Sequence, residues 1–232
     1  MEAPVRFEED PMEQAYKTGT RILALVLVAA FFQGDAFGDL NAIPEKAFQP
    51  NPILWLKPEA SSRPLAENGR LDGEWPDGAS FGGFSEYEPV ENRKPAVDTR
   101  GTVAYDSQAL DVAFVCGDPD LAKLRASLTD RGQMYQDDWV CVSIDPQGNH
   151  QAAYQFFVNP RGVQGDRLWQ INGTVDQSHD LVFQSEARIQ EGGWTAAMHI
   201  PFESLRFPGR EDQHWLVHFT RHYPREHEYV YS

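Results

Sequence analysis

Basic residues are scarce in this chain. Twenty Lys and Arg stand against 35 Asp and Glu, a net charge of -15. Phosphate recognition depends on Lys and Arg, so nucleic acid and anionic membrane surfaces are excluded as partners. Two common catalytic signatures are also missing: there is no phosphate loop and no Cys–His pairing. The Gly-rich stretch "GASFGGF" at residues 78–84 lacks the lysine and following helix that a phosphate loop requires. The chain therefore reads as non-enzymatic. Cysteine is limited to Cys116 and Cys141, both in apolar, strand-like runs. By side-chain parity Cys116 shares a face with Leu110, Val112 and Phe114, whereas Cys141 lies opposite Val140, Val142 and Ile144. If both apolar sets face a core, the two thiols point to different faces, and free buried cysteines are expected rather than a bridge.

A long apolar run is absent too. The longest, "ILALVLVAAFF" at residues 22–32, falls short of the ~20 apolar residues of a membrane span. It has the length of a signal-peptide core. Arg21 precedes it, and small residues at Ala36 and Gly38 follow at the cleavage-recognition positions. Residues 1–38 thus read as a signal peptide and the protein as exported. Residues 39–66 carry Pro44, Pro50, Pro52, Pro58 and Pro64 with no sustained period, a linker or strap along a domain.

Residues 67–232 show a β pattern, with short apolar or alternating runs set between turn signals. "WVCVSID" leads through "PQGN" into "QAAYQFFVN", a hairpin. "LVFQSEARIQ" meets Gly192–Gly193 and returns as "WTAAMHIPF", a second one. "HWLVHFTRHY" is a late strand. One short helix is expected in "DPDLAKLRASL" (residues 118–128), where Leu121, Leu124 and Leu128 repeat at helical spacing behind Asp118 or Asp120 as a cap. The fold class is all-β, a two-sheet antiparallel sandwich of jelly-roll type with one short helix.

Three features could carry chemistry. His214, His218 and His222 fall four apart, but in a strand that spacing separates them by ~13 Å, too far for one zinc; they read as a polar outer face. Asp137 and Asp138 are adjacent acids, whereas a glycosidase needs two carboxyls about 5–9.5 Å apart across a cleft. The third feature is aromatic: six Trp, eight Tyr and fourteen Phe. Phe156, Phe202 and Phe219 read as core. Tyr135 lies in the polar loop "RGQMYQDD", where burial explains a large ring less well and stacking on a sugar explains it better.

Five ordered segments resemble those of a family 9 carbohydrate-binding module, and more closely the family-9-like N-terminal domain of bacterial envelope proteins. They are "NGRLDGEW", "VAYDSQALDVAFVCGDPD", "DDWVCVSID", "YQFFVNPRGVQGD" and "GGWTAAMHIPFESLRF". The resemblance implies a β-sandwich with bound calcium that holds an oligo- or polysaccharide between two aromatics, matching Tyr135 and Tyr231. It implies attachment to glycoside hydrolases, or, in the closer relatives, a barrel-like C-terminal envelope region beyond Ser232. The polar grip of sugar-binding members falls here on Cys141 and Phe157, which cannot make charged hydrogen bonds. Other departures are Asn68 for an aspartate, a shortened gap before Trp75, and Ala197 or its neighbour where an acid is common. By residue type alone, Asp106, Asp118 and Asp145 are the calcium candidates. Two further readings stand beside carbohydrate binding. One is a structural interaction domain of an outer-membrane-associated protein without a sugar site. The other is a haem-binding relative using Met134, Met198 and His199.

Overall fold

The computed structural model of the chain describes residues 56–58, 60, 79–210 and 212–232. The signal-peptide reading, most of the Pro-rich segment and the opening signature at residues 68–75 lie outside the described residues.

Among the described residues twelve strands form: β1 (Ala79–Phe81), β2 (Glu86–Glu88), β3 (Thr99–Tyr105), β4 (Ala109–Gly117), β5 (Trp139–Asp145), β6 (Ala152–Val158), β7 (Gln164–Gln170), β8 (Val175–Asp176), β9 (Gln184–Gln190), β10 (Gly193–Pro201), β11 (Leu216–Pro224) and β12 (Glu228–Tyr231). They pair antiparallel into a five-stranded sheet, β1-β3-β4-β10-β9, and a seven-stranded sheet, β2-β12-β11-β5-β6-β7-β8. The architecture is a β-sandwich, as the alternating runs predict.

Alternation decides what each sheet turns inward. Leu110, Val112, Phe114 and Cys116 of β4 and Trp194, Ala196, Met198 and Ile200 of β10 meet Val140, Val142 and Ile144 of β5, Phe156 and Val158 of β6 and Phe219 of β11 in one buried cluster. Phe81 joins the layers, stacking on Phe219 at 3.8 Å and meeting Phe114 edge-on at 5.3 Å. Its ring fits because position 101 is glycine: a Cβ there would sit 2.4 Å from the Phe81 ring and 2.1 Å from the Ala113 carbonyl oxygen. Each fully buried large side chain contributes about 1.5–3 kcal/mol, so this cluster is the main source of stability.

The two thiols lie apart, as parity requires. Both are free and buried, Cys116 in the main core and Cys141 in a smaller cluster with Met134 and Phe157 on the far side of the seven-stranded sheet. Burial pushes each thiol up to about 12.

The expected helix over residues 118–128 does not form. Only Leu121–Lys123 makes a 3-10 turn, and Leu124 is already extended at φ -62°, ψ 121°. The leucine period is misleading because Leu128 is 77% exposed. Residues 125–127 are instead drawn to the two neighbouring aspartates. The Arg125 amide donates to Asp138 at 2.9 Å and the Ser127 amide to Asp137 at 2.8 Å. These bonds replace the intrahelical ones.

Candidate functional site

The outer face of the seven-stranded sheet holds the candidate site. Register sets its side chains in rows. One row runs Thr220, Cys141, Phe157, Gly165 across β11, β5, β6 and β7. The next runs His218, Ser143, Gln155, Arg167 over the same strands. An apolar, aromatic row therefore lies directly beside a polar one, the combination that sugar rings require.

The aromatic row is completed from the loop before β5. Tyr135 is half-buried and meets Phe157 edge-on, with centroids 5.2 Å apart at 89°. Trp139 also meets Phe157 edge-on, at 5.1 Å and 81°. Gly165 makes room for Tyr135: a Cβ there would lie 3.1 Å from the phenol oxygen and 3.3 Å from the ring. The Trp139 indole donates to the Tyr135 carbonyl at 3.2 Å, tying the two aromatics together. Burial pushes the Tyr135 phenol above its ordinary value, so it stays neutral at physiological pH.

The polar row is hydrogen-bonded in series. Arg167 Nε donates to Gln155 Oε1 at 2.7 Å, and Gln155 Nε2 donates to Ser143 Oγ at 2.9 Å. The Arg167 guanidinium lies 4.7 Å from the Phe157 centroid and 5.4 Å from that of Tyr135. His218 closes the row. It retains some solvent contact yet is densely enclosed, and burial pushes its imidazole down to about 4.

Asp137 and Asp138, the adjacent acids, are buried and structural. Asp137 accepts from the Ser127 amide and hydroxyl at 2.8 and 2.9 Å and from Asn159 Nδ2 at 2.9 Å. Asp138 accepts from the Arg125 amide and from Arg225 Nη1, both at 2.9 Å. Burial raises the Asp138 carboxyl more than Arg225 lowers it. Burial opposes the charge on Arg225 as well, but there the Asp138 bonds outweigh it, so the guanidinium stays charged. The pair is an internal strut, with neither acid open to a substrate. His222 braces the same turn. Its Nδ1 is 2.6 Å from the Asp137 carbonyl and its Nε2 2.7 Å from Glu228, while its ring stacks on Trp139 at 5.0 Å.

Several expected site residues fall elsewhere. Tyr231, the expected second wall, is fully buried in the main core and stacks on Tyr223 and Tyr229 at 6.0 and 6.1 Å, so no sugar reaches it. Strand alternation turns β12 that way and puts Val230 on the outer face instead. The calcium candidates lie in three separate turns. Asp106 accepts from the Gln108 and Ala109 amides at 2.7 and 2.9 Å, and Asp145 from those of Gln147, Gly148 and His150 at 3.0, 3.0 and 2.7 Å. Asp118 binds the Asp120 amide at 3.0 Å and the Arg225 guanidinium. Among the described residues no cluster of three or more His, Cys, Asp or Glu could hold a metal, so these three acids do not converge on one ion. The haem candidates are equally scattered: Met134 under the outer aromatics, Met198 in the core, and His199 on the opposite sheet with Asp111 at 2.7 Å. His214 precedes β11 and is exposed, so the three histidines do not share one site.

Cys141 and Phe157 form an apolar floor, as their residue types imply. The missing charged donor is supplied one strand over, by Arg167, which sequence reasoning missed. The pairing of β6 with β7 across the five residues 159–163 sets Arg167 opposite Gln155, and that register was the signal available. A separate open groove of about 530 Å³ is lined by Lys123, Arg125, Tyr223, Arg225 and Tyr229 among others. Its cations are already paired, Lys123 with Asp120 at 3.1 Å, Arg125 with Glu228 at 3.3 Å, and Arg225 with Asp118 and Asp138.

No family model matches the chain, and no curated protein matches it. Solved structures do. One is a family 9 carbohydrate-binding module from Caldicellulosiruptor kristjanssonii in complex with cellotriose. It is 14% identical, covers 75% of this chain and 80% of its own, and has a TM-score of 0.53. A family 9 module from the same organism in complex with glucose is 14% identical over 75% of this chain and 83% of its own, with a TM-score of 0.48. At this identity the likeness establishes a shared fold, and the family 9 resemblance is met at that level.

Proposed function

We propose that this chain is a non-catalytic carbohydrate-binding module that seats an oligo- or polysaccharide on the outer face of its seven-stranded sheet. The carrying observation is the juxtaposition there of Tyr135, Trp139 and Phe157 with the polar row His218, Ser143, Gln155 and Arg167. A sugar ring has an apolar C–H face and a polar rim, and such a surface matches both. Tyr135 supplies the stacking ring, and Arg167 and Gln155 supply the hydrogen bonds. The fold it shares with a module solved in complex with cellotriose supports the reading. The apolar run at residues 22–32 supports export, where a polysaccharide would be met as part of an envelope or polysaccharide-utilisation protein.

The test is retention on insoluble polysaccharides, with calorimetry on soluble oligosaccharides, for the wild type and Tyr135→Ala. Wild-type retention, lost on truncation in a variant with an unchanged melting temperature, supports the reading. Equal retention of both, or none of the wild type on any polysaccharide, overturns it.

A further inference from the structure

Arg167 narrows the ligand class. Its side chain is held on three sides: Nε donates to Gln155 at 2.7 Å, and the guanidinium lies 4.7 Å from Phe157 and 5.4 Å from Tyr135. Gln155 is itself oriented by its bond to Ser143 at 2.9 Å. The carboxylate next in sequence, Asp166, points to the other face of β7, is buried, and is engaged at 2.7 Å by Arg131. Among the described residues no carboxylate pairs with Arg167. The rest of the outer face is uncharged near it: Ser143, Gln155, Cys141, Phe157, Gly165, Thr220 and a His218 whose imidazole is neutral at pH 7.

The two terminal nitrogens of Arg167 are thus fixed in place, charged and without a protein acceptor among the described residues. A planar guanidinium with two parallel N–H donors matches a carboxylate bidentately, and such pairs are stronger than neutral hydrogen bonds. A neutral sugar hydroxyl uses only one donor and leaves the charge uncompensated. We infer that the site takes an acidic saccharide, with the carboxylate of a uronic acid residue on Arg167 and a neighbouring ring on Tyr135. This rests on the platform reading above. A chain of net charge -15 repels polyanions as a whole, so a preference for acidic sugars at this site would be local.

The experiment compares matched probes on the full chain by calorimetry. Tetragalacturonate, tetraglucuronate and tetramannuronate are each set against the carboxyl-reduced neutral tetrasaccharide. Proteins are the wild type, Arg167→Met, which keeps the stem that packs on Phe157 and Tyr135, and Tyr135→Ala. The expected result is at least about tenfold tighter binding of one uronate than of its neutral counterpart. That preference disappears in Arg167→Met at an unchanged melting temperature, and in the wild type it weakens in higher salt. Neutral tetrasaccharides bound as tightly as acidic ones, in a Tyr135-dependent way, overturn the acidic ligand and leave the platform standing. An acidic preference that survives Arg167→Met overturns the role of Arg167. Absence of binding by every probe overturns the platform and the acidic ligand together.

Discussion

Protonation of His218 should destabilise the fold by an amount the structure allows to be worked out. Its imidazole has an ordinary value of 6.5 and is pushed down to about 4 by burial. The unfolded chain therefore takes up the proton first as the pH falls. Stability from the neutral ring is complete above about 6.5, is lost as the pH falls towards about 4, and changes no further below that. At pH 5 the linkage gives about 2 kcal/mol of lost stability for the unscreened shift. Residual solvent contact reduces this, so the expected loss is about 1–2 kcal/mol. Urea unfolding of the wild type and His218→Gln at pH 7.5 and pH 5.0 isolates it as a difference of differences. The raised carboxyls of Asp98 and Asp138 also titrate on acidification, but both proteins carry them and they cancel. The variant should lose about 1–2 kcal/mol less than the wild type over this interval. Identical losses, within about 0.3 kcal/mol, would refute the burial of the His218 imidazole.

Other expectations follow from buried contacts. Asn159→Ala removes bonds to the Ser127 carbonyl, the Asp137 carboxylate and the Arg161 and Val163 amides, and should cost about 2–4 kcal/mol in urea unfolding. A cost under about 0.5 kcal/mol would mean that this network is not formed. Gly101→Ala places a methyl 2.1 Å from the Ala113 oxygen and 2.4 Å from the Phe81 ring, so the variant should lose more than about 3 kcal/mol or accumulate as insoluble protein. A soluble variant with wild-type melting would contradict the packing of Phe81. Cys116 and Cys141, buried and pushed up to about 12, should resist an aromatic disulfide reagent in the native state and both react in denaturant. Rapid native labelling of either would place it outside the core.

Local pattern carried the strands. The alternation of Val140, Val142 and Ile144 against Cys141 and Ser143 made the inward face of β5 legible, and the Gly192–Gly193 turn marked the β9–β10 hairpin. The same reasoning overreached at residues 118–128. There a leucine period existed but the amides of Arg125 and Ser127 had better partners in two aspartates ten or more residues away. Tyr231 misled for a related reason. Its type suited a sugar wall, but only the pairing of β12 with β11 shows that its ring enters the core.

The sequence by itself determined the composition of the surface, the all-β period, the opposed faces of the two cysteines and the placing of an aromatic in the loop before β5. These depend on residue type and on a periodicity of two, which are local quantities. The site was decided only in three dimensions. Arg167, Gln155, Ser143 and His218 lie on four different strands, from position 143 to position 218, and become one row through strand register alone. Register comes from hydrogen-bond pairing and turn geometry between distant segments. For that reason the polar half of the surface was hidden in the sequence while its aromatic anchor was in plain view.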